Sequence, residues 1–340
     1  MPLLKVAVKV LPIMVLTIAL AEMKGMAIAA EKVIIAHRGA SGYVPEHTLE
    51  GVAMSHAFGV NYIEQDLVLT KDRVPVVLHD IELEPMTDVS IKFPGRHRPD
   101  GKYYAIDFTL AEIKQLNLHE RKNLKTGNQA YPDRFPMMLG QFRIPTLEEE
   151  LQLIQGLNKS RGKNIGIYPE IKSPSFHRTE GADLSAIVIK ILAQYGYRSK
   201  SDHCIMQCFE WPELKEIRKL GYSGRLVYLV GGKTTRLDGE EKVPFNFETM
   251  KQIARVADGL GPAYSLVLEE DAAGNWKKTD FVSLAHQAGL VVHPYTLRAD
   301  VPMGKVREIS KMFDLLFREA DADGVFTDHP DAGVRWQQRH

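Results

Sequence analysis

From Val33 onward, short apolar runs alternate with stretches of helical periodicity, and this alternation constrains the fold of the 340-residue chain more than any other feature. Parallel strand pairs need a crossover long enough to hold a helix, so the pattern predicts successive β/α units. Eight strands are read, at 33–37, 62–68, 165–172, 204–209, 225–230, 259–262, 290–294 and 324–327. Helices are predicted over 48–58, 146–155, 182–195, 212–220, 247–257, 279–288 and 305–320. Thr146 followed three residues later by Glu149 marks a capping-box start. Eight such units in about 300 residues is the size of a closed (β/α)8 TIM barrel.

Two segments exceed a bare barrel. After Asp66 the run L-V-L-T-K-D-R-V-P-V-V-L-H-D reads as a β-hairpin turning at Lys71-Asp72. Pairing Thr70 with Arg73 sets Leu69 against Val74 and brings His79 opposite Glu64. The second segment, 81–143, is rich in Pro, Gly, Arg, Lys and Tyr, with one helical stretch over 109–118. It is expected to be an insertion capping the barrel mouth. A connection of that length should carry structure of its own.

Basic and acidic residues number 43 each, which excludes the electrostatic footprint of a general nucleic-acid binder. The first thirty residues differ from the rest. Lys5 and Lys9 precede an apolar run from Val10 to Ala21, and Ala27-Ile28-Ala29-Ala30 follows. This is the pattern of a secretory signal peptide over 1–29, and twelve apolar residues fall short of the ~20 a spanning helix needs. Export to the periplasm or outside the cell is therefore expected, with no stable membrane insertion after processing. Losing Lys5, Lys9, Lys24 and Glu22 would take the 43 basic and 43 acidic residues to 40 and 42, about −2 in net charge. Cys204 and Cys208 sit four apart on one strand, ~13 Å in extended chain, too far for a bridge. Two buried free thiols are expected.

Active sites of such barrels lie at the carboxyl ends of the strands. His37-Arg38-Gly39 follows the first strand directly. Glu64 and Asp66 lie two apart on the second, so both carboxylates share one face, and Glu170 and Lys172 repeat that spacing on the third. Three carboxylates converging on one mouth repel unless a cation sits among them, and oxygen ligands select a hard ion. Ca²⁺ is favoured and Mg²⁺ fits as well. Zinc motifs are missing: the sequence has no paired Cys motif and no H-E-x-x-H. His37 and His79 beside such an ion are candidates for general acid and base. Arg38 and Lys172 supply positive charge for a phosphate. The constellation suits phosphoester chemistry.

The strings A-H-R-G-A-S-G-Y-V-P-E-H-T-L-E-G, Y-I-E-Q-D-L-V-L-T-K-D, V-V-L-H-D and Y-P-E-I-K, continued by Q-C-F, V-V-H-P-Y-T-L-R and G-V-F-T-D-H-P, closely resemble the glycerophosphodiester phosphodiesterase family. The resemblance runs from Ile34 to Pro330 and is closest to the secreted periplasmic bacterial enzyme. It implies hydrolysis of small-molecule glycerophosphodiesters to glycerol 3-phosphate and an alcohol. It also implies His37 and His79 as the catalytic pair, Glu64, Asp66 and Glu170 as metal ligands, and Arg38 and Lys172 as phosphate contacts. P-E-H-T stands where P-E-N-T is usual, which leaves the role of His47 open.

Gln207, Phe209 and Tyr295, also near strand ends, are candidates for substrate contact or for packing. Arg96-His97-Arg98 reads as a solvated loop rather than a phosphate site. Met137-Met138, Trp211 and Trp336 read as packing. Two alternatives keep or drop the chemistry: a lysophospholipid or sphingolipid phosphodiesterase, or a non-catalytic metal-dependent surface binding protein. Head group and oligomeric state, a homodimer included, are open at this level.

Overall fold

The computed structural model describes residues 31–137, 139–239 and 241–340; the expected signal peptide and Met138 lie outside them. Strands Val33–Ala36, Tyr62–Leu69, Gly166–Ile171, Ile205–Cys208, Arg225–Val230, Gly259–Pro262 and Val291–Val292 pair in sequence order, all parallel, and Val33–Ala36 pairs back onto the eighth, Gly324–Thr327. The seventh and eighth share no ladder. Asp323 N donates to Val292 O at 2.9 Å and Phe326 N to Pro294 O at 3.0 Å, which completes the barrel. Closure removes the free edges that an open eight-stranded sheet would leave at its first and last strands.

Strand alternation divides the residues between two apolar layers. Ile35, Tyr62, Tyr168, Ile205, Val227, Leu229 and Phe326 fill the barrel interior. Their neighbours Ile34, Ile63, Ile167, Met206 and Leu226 face outward into the layer under the helices. Glu64 and Asp66 share the parity of Tyr62, and Glu170 shares that of Tyr168, so the rule that builds the plug also delivers carboxylates to its upper end.

The helices begin where their caps allow. Thr48 caps Leu49–Phe58 through Gly51 N, and left-handed Gly59 ends it. Thr146 and Glu149 form the expected capping box on Leu147–Arg161, which Gly162 ends in the same way. Leu184–Gln194, Trp211–Lys219, Phe247–Ala254 and Phe281–Gln287 match the periodic segments. The segment read over 305–320 is helical only from Ile309 and finishes in a π turn, Leu315–Glu319. Pro330–Gln337 closes the chain and carries Trp336, which packs on Phe313 and Phe317. Trp211 is buried, and Cys204 and Cys208 are buried and free.

The hairpin forms one residue out of the expected register. Leu69 faces Pro75 and Leu67 faces Val77, because the loop holds three residues instead of two. Arg73 takes a left-handed φ of 66°, its N–H closing on Thr70 O, while Thr70 N–H reaches Val74 O. A type I turn followed by a left-handed residue is a standard three-residue hairpin loop, and it shifts the return strand by one. The ladder would thus have set His79 against Gln65. The last hairpin hydrogen bond, Leu78 N to Asp66 O at 2.8 Å, comes one residue earlier, and beyond it His79 turns into the barrel mouth.

Segment 81–143 carries structure of its own, as expected. Leu83, Met86, Val89, Phe108, Ile113, Leu118 and Phe142 form a separate core on the outer face of the hairpin, against Val68, Val76 and Leu78. Among the segment's described residues, none lines the barrel cavity. Its longest expected helix shortens to Leu110–Ile113, because Leu118 is drawn into bridges with Thr87 and Phe142. Arg96 and Arg98 are spent on Glu112, Asp107 and Glu180, so this cluster is an ion-paired surface.

Glu150, on the first turns of Leu147–Arg161, is fully buried with neither carboxyl oxygen hydrogen bonded. Burial pushes its carboxyl well above the usual range; the Gln65 side chain opposes this and Glu149 adds to it. The folded chain therefore keeps a proton that the unfolded chain releases. Each pH unit above the ordinary Glu range costs about 1.4 kcal/mol until the raised folded value is passed. Glu150→Gln is expected to raise the melting temperature, and by more at pH 8 than at pH 5. Calorimetry at the two pH values checks this; an equal gain at both would show that Glu150 is not titrating as described.

Candidate active site

All eight strands send residues to one cavity of about 370 Å³ at their carboxyl ends. His37, Arg38, Glu64, His79, Glu170, Lys172, Gln207, Phe209 and Tyr295 line it, together with Tyr264, Ser265, Thr296 and Arg298. Asp66 lies just behind this wall, fully buried. Nine of the ten residues singled out from the sequence thus form the cavity wall, and the tenth supports it.

The turn after the first strand is unusual. Arg38 and Gly39 both take left-handed φ, 58° and 79°, and a Cβ on Gly39 would sit 3.0 Å from the Gly51 carbonyl carbon. Only glycine relieves both constraints. This turn aims the Arg38 N–H at Glu64 Oε2, 2.7 Å away, and the Arg38 guanidinium at Glu46, 3.1 Å, and Asp66, 3.4 Å. His47, also left-handed at φ 59°, places Nε2 2.8 Å from Asp66 Oδ2, while its buried Nδ1 has no partner.

The carboxyls respond unequally to being crowded together. Burial and the neighbouring Asp66 push Glu64 well above the usual range. Burial does the same to Glu170, with Lys172 opposing and Asp66 reinforcing. Against the cost of burial, Lys172 and His79 hold Asp66 well below it. Lys172 Nζ lies 2.7 Å from Glu170 Oε1 and 3.6 Å from Asp66 Oδ1. His47, Glu64 and Asp66 offer ligand atoms within 4.8 Å of one another, and Asp66 Oδ1 is buried with no hydrogen-bond partner. Glu170 stands opposite Asp66 in the strand ladder, outside that cluster and beside it. Such a set, in which two acids hold protons for want of positive charge, fits a hard divalent cation.

Each histidine has its own carboxylate. His37 Nδ1 lies 2.6 Å from Asp328 Oδ1, and His79 Nδ1 lies 2.9 Å from Asp80 Oδ1. Asp328 Oδ2 in turn accepts from Arg134 and Arg298, and Asp80 Oδ2 from Arg121. Burial, reinforced by Arg38, lowers both imidazoles to about 4. Both rings are therefore neutral at pH 7, with Nδ1–H donated to the carboxylate and the Nε2 lone pair left free.

Across the cavity, Gln207 Nε2 donates to Glu64 Oε1 at 3.4 Å, and Phe209 packs edge-on against Tyr295. The sequence reading missed Asp328, Asp80, Glu46 and Arg298. Asp80 follows His79 directly and Asp328 ends the eighth strand, so a search for carboxylates near strand ends would have found both. Nothing local marks Arg121 or Arg134.

Residues 37–332 match the Glycerophosphoryl diester phosphodiesterase family. The chain is 44% identical over 328 residues to the glycerophosphodiester phosphodiesterase of Haemophilus influenzae, covering 90% of both chains. It is 38% identical over 328 residues to that of Treponema pallidum, covering 91% of this chain and 92% of the other. In fold it is similar to an Oleispira antarctica phosphodiesterase solved with the product sn-glycerol-3-phosphate, with a TM-score of 0.62, 21% identity, and coverage of 91% and 97%. With the match running over residues 37–332, through both histidines and the carboxylate cluster, the chain belongs to the glycerophosphoryl diester phosphodiesterase family.

Proposed function

We propose that the chain hydrolyses glycerophosphodiesters to glycerol 3-phosphate and an alcohol, with His37 and His79 as the acid–base pair. One observation carries this reading: two imidazoles, each fixed by its own carboxylate, face one cavity that is also lined by Arg38, Lys172, Glu64 and Glu170. The names of the Haemophilus and Treponema relatives support the substrate class. The small-residue run at 27–30 supports export of the mature chain.

Glu64, Asp66 and Glu170 would hold the divalent cation, with His47 adjoining. That ion would supply charge to neutralise the phosphoryl oxygens as the transition state forms. Arg38 and Lys172 bind the same phosphate, Arg38 as a fork and Lys172 as a point charge. His37 Nε2, its ring fixed by Asp328, takes the proton of the attacking hydroxyl, either that of water or the adjacent glycerol hydroxyl. In the second case the alcohol leaves behind a cyclic glycerol phosphate that water then opens to glycerol 3-phosphate. His79 takes a proton from solvent and delivers it to the departing alcohol oxygen, and the proton taken by His37 returns to solvent. Phe209 and Tyr295, packed edge-on in the cavity wall, give an organic group apolar surface.

His37→Ala and His79→Ala are each expected to lower turnover of glycerophosphocholine by ~10² to 10⁴ with the melting temperature little changed. A folded variant that keeps most of its activity removes that histidine from the reaction. EDTA is expected to stop glycerol 3-phosphate release, and Ca²⁺ or Mg²⁺ to restore it. The same ions should raise the melting temperature, because they relieve the crowding of Glu64, Asp66 and Glu170, and Asp66→Asn should weaken that rise. Turnover of lysophospholipid but not glycerophosphocholine would favour the lipid alternative, and cation binding without any turnover would favour the binding protein.

A further inference from the structure

Two arginines of segment 81–143 end on the two carboxylates that hold the histidines. Arg134 donates from Nη2 to Asp328 Oδ2 at 2.7 Å, from Nε to Asp300 Oδ2 at 2.7 Å and from Nη1 to Ser41 O at 3.2 Å. Arg121 donates from Nη1 to Asp80 Oδ2 at 2.7 Å and from Nη2 to Glu46 Oε1 at 2.6 Å. Neither lines the cavity. The Arg134 side chain is 3% exposed, and fixing and desolvating a guanidinium is costly unless its fork is fully matched. A segment that served only to cover the hairpin could meet that need with its own apolar core.

The relays differ in one respect. Arg134 reaches the His37 ring through Asp328, whose other oxygen holds the imidazole, and the His37 backbone through Ser41, whose hydroxyl donates to His37 O at 2.8 Å. Arg121 reaches two residues, His79 through Asp80 and the Arg38 guanidinium through Glu46. We infer that segment 81–143 is a positioning element of the active site, in which Arg134 sets His37 through Asp328 and Arg121 sets His79 through Asp80 and Arg38 through Glu46. The inference rests on the proposed roles of His37, His79 and Arg38.

The test is steady-state release of glycerol 3-phosphate from glycerophosphocholine by the full chain, with melting temperatures recorded. Arg134→Met is expected to lower kcat by about 10- to 100-fold with KM little changed, the scale seen when an orienting partner is removed. Arg121→Met should lower kcat and also raise KM, because Arg38 loosens with Glu46. Arg143→Met, whose arginine bonds only within the segment to Leu116 O and Asn117, should leave both constants unchanged. Arg134→Lys keeps the buried charge while losing the fork, and should recover part of kcat; it decides the matter if the methionine variants unfold. In an Asp328→Asn background, Arg134→Met should cost little more, since the two act in series on the His37 ring. A folded Arg134→Lys with full kcat, or losses that simply multiply in the double variant, would overturn the inference. Should His37→Ala remain active, the acid–base reading fails instead, a result distinguishable from both.

Discussion

Strand alternation in a closed barrel forces Glu64, Asp66 and Glu170 into one buried mouth, and the arrangement around them is what makes that burial tolerable. Isolated carboxylates cannot stay ionised there. The chain answers with Arg38 and Lys172, with the Arg38 N–H on Glu64, with His47 on Asp66, and with protons kept on Glu64 and Glu170. The compensation is incomplete by design of the residues present: Asp66 Oδ1 and Gln207 Oε1 are buried without hydrogen-bond partners. A site with surplus acceptors and acids holding protons is one that a divalent cation and an anionic substrate would complete together.

The same field governs the histidines. Arg38 stands close enough to help burial keep both rings neutral, so neither competes with a cation for the carboxylates. Asp328 and Asp80 are held ionised by the rings they orient and by arginines, against the cost of burial. An ionised carboxylate on Nδ1 fixes the tautomer and directs Nε2 outward, as one orienting hydrogen bond does in metal-bound and catalytic imidazoles. The two rings therefore differ less in environment than in where each sits on the rim.

Much of this was legible in the sequence, for physical reasons that can be named. The barrel could be read because period-2 and period-3.6 patterns alternate and caps such as Thr146 with Glu149 mark the boundaries. His37, Glu64, Asp66, Glu170 and Lys172 could be read because position at a strand end determines direction. The hairpin register could not, since it turned on whether Arg73 would adopt a left-handed φ, an unfavourable conformation for a side chain with a Cβ. The packing of segment 81–143 could not be read, for a related reason. Its core faces the hairpin's outer surface through Val76 and Leu78, contacts of tertiary packing that no local periodicity announces.

That packing explains why the hairpin matters to the chemistry. Val76 and Leu78 sit in the core of the added segment, and Val77, between them, packs in the layer beneath the barrel helices. The return strand is thus clamped from both faces, and its end cannot drift. His79 leaves that clamped end one residue after Leu78, so its position is set by packing before any hydrogen bond forms. Asp80 and Arg121 then need only fix its rotation. A barrel without the added core would leave Leu78 facing water at the foot of a short strand, and the ring would lose its fixed point of departure.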